Sequence, residues 1–142
     1  MGKPLVAKKE IILKYNVKII WNIVLNNNDY KWRTDIKEIK ILENGKDWIE
    51  YYDMNRKYFT RFILREKEEY NLYSFDMENK NFYGNWVGKF FEINNNETKC
   101  IFIETIYIKN RIMNIVAKIF LTFEKIQEQY FKDLGKKLLE NK

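Results

Sequence analysis

A chain of 142 residues without a single histidine has a narrow choice of chemistry. Ser-His and Cys-His nucleophile pairs are excluded, and so is any His-ligated metal centre. Cys100 stands alone, so it forms no internal disulfide and assembles no closed metal set. Proton transfer is left to carboxylates, tyrosines, lysines and arginines. Asp35, Glu50, Asp53, Asp76 and Glu104 fall in or beside segments that read as strands. Glu104 is the most informative of them, because it interrupts the apolar run from Cys100 to Ile108. Sharing an inward face with Phe102, it would be desolvated, its pKa would rise, and it could act as a general acid or as the polar anchor of a pocket. Turned outward and paired with a basic neighbour, it would do neither. Glu104 is therefore the one catalytic candidate, and both orientations stay open.

Large rings at strand and helix spacing are the second signal. Phe82, Trp86 and Phe90 share one face of a long strand by its period of two. Phe102 and Glu104 lie on the hairpin partner, and Met113, Val116 and Phe120 lie early in the final helix. These eight residues are the expected lining of a ligand pocket, with the last three as its roof. Gly84 and Gly88 flank Trp86 on the same face and leave room above the sheet for a helix or a ligand. Trp21 and Trp32 read as packing residues. Arg61 and Arg65, on one face with Phe59 and Ile63, read as a solvated outer surface. Gly84 and Gly88 lie within a strand and lack the loop-to-helix setting of a phosphate-binding motif.

Elements that could position these groups follow from periodicity. Leu5 to Leu13 reads as a strand, with Val6, Ile11 and Ile12 as its apolar content. Asn16 is placed to cap a helix in which Ile19, Ile20, Ile23 and Val24 recur beside Trp21. The polar run from Asn26 to Asp29 stops that helix, and Tyr30 to Trp32 leaves space for at most one further helical turn. Six strands follow: Ile36 to Glu43, Trp48 to Met54, Tyr58 to Arg65, Tyr70 to Glu78, Phe82 to Ile93 and Thr98 to Ile108. Asn44-Gly45 reads as a two-residue hairpin turn, and the regular turn spacing describes an antiparallel meander. From Ile112 the period changes. Ile112, Val116, Ile119, Phe123, Ile126, Tyr130, Leu134 and Leu138 form the stripe of an amphipathic helix ending near Glu140.

Composition sets the wider limits. Apolar residues at 46% exclude disorder, and 17% aromatics supply either a thick core or a lined pocket. The net charge of +6 comes from lysines scattered along the chain, which is not the clustered pattern of a nucleic-acid surface. No signal-peptide core opens the chain, and no apolar stretch approaches the ~20 residues of a membrane span. The expectation is one soluble, cytoplasmic domain over residues 1–142, a monomer or weak dimer, without cofactor or metal, without nucleic-acid binding and without stable membrane insertion.

In the order and spacing of its motifs the chain resembles the START/Bet v 1-like superfamily, in particular the bacterial SRPBCC proteins of polyketide cyclisation, dehydration and lipid transport. The residues that carry the likeness are Val17-x-x-x-Trp21, Tyr30-x-Trp32 with Asp35-Ile36, Phe82-x-Gly84-x-Trp86, and Phe131-x-x-Leu134. The resemblance implies an α+β helix-grip fold of order β-α-α-β6-α, with seven antiparallel strands curled round a long C-terminal helix. It further implies a cavity between sheet and helix for an apolar small molecule that is lipid-, polyketide- or sterol-like. Three functions remain: binding without catalysis; a metal-free cyclase or dehydratase using a pocket carboxylate or tyrosine; and a chaperone- or toxin-associated interaction module with a vestigial cavity.

Overall fold

The computed structural model describes residues 3–109 and 113–140. Strand β1 (Leu5–Leu13) leads into helix α1 (Val17–Leu25). Then come β2 (Glu38–Ile41), β3 (Asp47–Tyr51), β4 (Phe59–Glu68), β5 (Leu72–Glu78), β6 (Phe82–Asn94), β7 (Glu97–Ile108) and the long helix α2 (Met113–Leu139). The strands make one seven-stranded sheet in the order β1-β7-β6-β5-β4-β3-β2, with every neighbouring pair antiparallel. The meander from β2 to β7 thus closes on β1, and the α1 segment carries the chain from one edge of the sheet to the other.

Local chemistry explains the first turn. The Asn16 side-chain oxygen accepts the Lys18 N–H at 2.9 Å, and its amide donates to the Asn95 carbonyl at 2.9 Å. Asn16 therefore caps α1 and ties it to the β6–β7 turn. Val17, Ile20, Trp21 and Val24 are buried at helical spacing, and Trp21 meets Phe90 edge-on at 5.3 Å. The second helical piece allowed by the sequence at Tyr30 to Trp32 is absent. The Arg33 N–H closes a turn on the Tyr30 carbonyl at 3.0 Å, and the Trp32 indole N–H donates to the Asp29 carbonyl at 2.9 Å. One such bond is too little to nucleate a helix. The observed order is β-α-β6-α.

One further reading is corrected, and the faces of β1 are assigned. The β2–β3 connection is longer than two residues, because the Leu42 N–H bonds to the Asp47 carbonyl and the Asn44 side chain accepts the N–H groups of Lys46 and Asp47. Gly45 takes the positive φ of 69° that this turn needs. On β1 the inward residues include Ala7 and Leu13, whereas Val6 and Ile12 point outward and are half exposed.

Helix α2 is anchored unevenly. In its second half Leu134 and Leu138 are fully buried, and Phe131 stacks on Phe102 at 4.9 Å. Buried Asp133 accepts the Thr34 N–H at 2.7 Å, the Thr34 hydroxyl at 2.9 Å and the Gln129 amide at 2.8 Å. In the first half Ile119, Phe123 and Ile126 are only half-buried, although they belong to the same apolar stripe. Ile112, expected to open the helix, lies outside the described residues. A Cβ built on Gly135 meets nothing within 4 Å, so this glycine marks no close contact. No helix among the described residues is long and apolar enough to cross a membrane.

Candidate functional site

Half-burial in the first part of α2 has a simple cause: the helix spans a cavity of about 500 Å³. Inward residues of the central strands form the floor. Tyr73, Phe75 and Met77 come from β5, Phe82 and Trp86 from β6, and Phe102 and Glu104 from β7. Strand registry sets them side by side, with Phe75 opposite Trp86 and Trp86 opposite Glu104. The Phe75 and Trp86 rings stack at 4.9 Å within 5° of parallel, and Phe102 approaches Trp86 at 4.8 Å. Ile119, Thr122, Phe123, Ile126, Gln127 and Tyr130 of α2 make the roof. Exposed Lys118, Thr122 and Asn81 mark the mouth.

The opposite end is polar. Arg33, in the segment after α1, donates from Nε to Asp35 Oδ1 at 3.1 Å and from Nη2 to Asp35 Oδ2 at 2.6 Å. It also reaches Glu50 of β3, Nη1 to Oε2 at 3.2 Å and Nη2 to Oε1 at 3.1 Å. Trp48 adds an indole N–H to Glu50 Oε2 at 3.2 Å, and the guanidinium lies 5.2 Å from the centre of the Tyr130 ring. Burial opposes the Arg33 charge, but the two carboxylates hold it protonated well above its ordinary range. Glu104 faces this cluster from β7 and is only 7% exposed. Burial, reinforced by the nearby charge of Glu50, pushes its pKa up to about 8. The phenols of Tyr73 and Tyr130 are likewise raised by burial and stay protonated. Cys100 is fully buried and desolvation pushes its thiol up to about 12, so it takes no part as a nucleophile.

Of the eight residues named from sequence as a pocket lining, four line the cavity: Phe82, Trp86, Phe102 and Glu104. Glu104 takes the inward of its two possible orientations. Phe90 does not reach the cavity, because it is wedged between Trp21 and Phe102 at 5.3 and 5.9 Å. Phe120 is off the cavity too, since it lies about 100° round the helix axis from Ile119. Val116 shares the Ile119 face one turn earlier and packs on the core outside the cavity. The Met113 side chain lies outside the described residues.

Sequence reasoning missed Arg33 altogether, and it named Asp35 and Glu50 without joining them. A signal existed. Glu50 sits between Trp48 and Tyr52 on the inward period of β3, where a charge requires a buried partner, and Arg33-x-Asp35 supplies that partner. Tyr73 and Phe75 of β5 and Tyr130 of α2 were missed because neither strand nor helix periodicity can show where two facing surfaces stand apart.

The sequence matches no protein-family model and none of the curated proteins. Solved structures are similar across almost the whole chain. A START superfamily protein from Mycobacterium smegmatis superposes with a TM-score of 0.80 at 13% identity, over 99% of this chain and 100% of that one. Norcoclaurine synthase from Thalictrum flavum, in complex with dopamine and hydroxybenzaldehyde, gives 0.74 at 12% identity, over 98% and 88%. The Zhui aromatase/cyclase from a Streptomyces species gives 0.71 at 8% identity, over 93% and 92%. With its β1-β7-β6-β5-β4-β3-β2 strand order and the long helix gripped across the sheet, the chain has the START/Bet v 1-like helix-grip fold.

Proposed function

We propose that this protein binds an apolar small molecule in the cavity between sheet and α2, as a single cytoplasmic domain that is a monomer or weak dimer. One observation carries the reading: a cavity of about 500 Å³, walled by Phe75, Phe82, Trp86, Phe102 and Phe123, ends in a few convergent polar groups. That combination of apolar walls and sparse polar contacts is the usual form of a small-molecule site. Buried apolar area, at ~25 cal/mol per Å², supplies most of the affinity, and the polar end orients the ligand. Similarity to the synthase and the aromatase/cyclase supports a ligand that contains rings, and lipid-, polyketide- and sterol-like molecules remain in the class. Open access at the mouth argues against a purely vestigial cavity.

A second reading is a metal-free cyclase or dehydratase. It is favoured by Glu104, a buried carboxylic acid that keeps its proton at neutral pH and so can donate it to a carbonyl or hydroxyl oxygen of a bound chain.

The test is a titration of the neutral fluorophore N-phenyl-1-naphthylamine into wild type and Thr122→Trp, at low and high salt. Thr122 is exposed on α2 at the mouth, so an indole there plugs the entrance without disturbing the core. Binding by wild type, unaffected by salt and lost in Thr122→Trp, supports the proposal. Equal binding by both proteins, or loss of binding on adding salt, moves the site to the surface and ends it.

A further inference from the structure

The polar end of the cavity is built for positive charge in the ligand. Arg33 faces two carboxylates, Asp35 and Glu50, and among the described residues it is the only cation that pairs with either. Four of its hydrogen bonds already go to those oxygens, leaving one of the five guanidinium N–H groups. An anionic ligand entering here would meet a closed guanidinium fork backed by surplus carboxylate. Glu104 adds a third carboxyl to the same wall. The groups that act on Glu104 are Arg33 and Asp35 from the segment after α1, Glu50 from β3 and Gln127 from α2, and the phenols of Tyr73 on β5 and Tyr130 on α2 line the same cavity. Lys118 stands nine residues back along α2 at the mouth, roughly 13 Å away along the helix. Beside the carboxyl groups the wall is aromatic, and ring faces attract cations and disfavour anions.

We propose that the cavity selects a protonated amine on an apolar, ring-bearing body, with the nitrogen turned toward Glu104 and Glu50 and the body lying along Phe75 and Trp86. This rests on the reading that the cavity binds a small molecule. A cation brought to Glu104 favours its carboxylate form, so binding drives off the proton that burial retains. At pH 7 the amine is still charged, and each bound amine releases up to one proton from Glu104. Affinity for the amine therefore rises with pH, by up to tenfold per unit, and levels off above about pH 8.

The experiment is isothermal titration calorimetry with three probes of one shape: 2-(1-naphthyl)ethylamine, 2-(1-naphthyl)ethanol and 3-(1-naphthyl)propanoate. Each is measured at pH 6.5 and 7.5, in two buffers of different ionisation enthalpy. The expected result is an amine at least tenfold tighter than the alcohol at pH 7.5, a carboxylate weaker than both, and proton release on binding the amine alone. Glu104→Gln should abolish the proton release and lower the affinity for the amine. An alcohol or carboxylate that binds as tightly as the amine, or amine binding without proton release, overturns the amine preference while the cavity reading stands. Failure of all three probes to bind overturns both.

Discussion

The Trp86 indole lies over Gly88, two residues along the same strand. A Cβ built on Gly88 would stand 2.5 Å from Trp86 Cη2 and 2.7 Å from Cζ3. The ring cannot swing clear freely, because it is stacked on Phe75 and flanked by Phe102 and Tyr73 at 4.8 and 5.9 Å. Gly88 is the seat that lets a tryptophan lie flat on the cavity floor. Gly88→Ala should therefore destabilise the fold by about 1–3 kcal/mol, the range for overpacking, and weaken binding of the fluorophore. Urea melts together with the probe titration check it, and an unchanged midpoint with unchanged affinity would disprove the seating.

Arg33 pairs with two carboxylates that are hardly exposed, with side-chain accessibilities of 6% for Asp35 and 8% for Glu50. Removing the cation alone leaves both charges buried and unpaired. Arg33→Ala should cost about 3–5 kcal/mol. Adding Glu50→Gln to Arg33→Ala should recover part of that loss, since it removes one orphaned charge. A double-mutant cycle in urea measures the coupling, and strict additivity would place the two side chains in independent environments.

The pH dependence of stability follows from Glu104. Its folded pKa of about 8 lies above the ordinary value of 4.5, so the folded state binds the extra proton between these limits. The contribution of this group is fully present below about pH 4.5 and is lost as pH rises to 8, with a slope of up to about 1.4 kcal/mol per unit. Glu10 and Asp47 act in the opposite sense and only at lower pH, because hydrogen bonds from Lys99 and Arg61 hold them below the usual carboxylate range. Stability of wild type minus that of Glu104→Gln, measured from pH 5 to 9, should fall and then flatten near pH 8. A flat difference would show that Glu104 is ionised in the folded protein.

The two halves of α2 should respond differently to truncation. Leu134 is fully buried and does not line the cavity, so Leu134→Ala should cost about 2–5 kcal/mol. Phe123 touches Phe82 at 5.0 Å but borders the cavity, and Phe123→Ala only enlarges space that already exists. It should cost less than Leu134→Ala and should change ligand affinity, which Leu134→Ala should not. Paired urea melts and titrations decide the matter, and equal costs at both positions would contradict an open cavity under the first half of the helix.

Much of the architecture was legible before any coordinates. The sequence placed β1 at its observed bounds of Leu5–Leu13 and the start of β6 at Phe82, and the amphipathic stripe placed the end of α2 within one residue of Leu139. Along β7 the observed alternation turns Phe102, Glu104 and Ile106 to one face, because successive strand side chains point opposite ways, and this decides the orientation of Glu104 that the sequence had left open. Turn chemistry was less reliable, since Asn44 and Gly45 suit both a two-residue and a longer connection.

By itself, the sequence determined the seven strands, the two main helices and their order, the inward Trp86 and Phe102, and the absence of imidazole chemistry, all of which depend on residue type and local period. The tertiary structure alone decided which faces meet and which stand apart. Phe90 and Trp86 share a strand face, yet α1 covers one and a cavity opens beside the other, because Trp21 fills the space above Phe90. Arg33, Asp35 and Glu50 become one site only when β3 brings Glu50 back across 17 residues of chain to the turn after α1. The raised pKa of Glu104 is likewise a property of the assembled wall, since desolvation and the charge of Glu50 exist for it only once sheet and helix have closed.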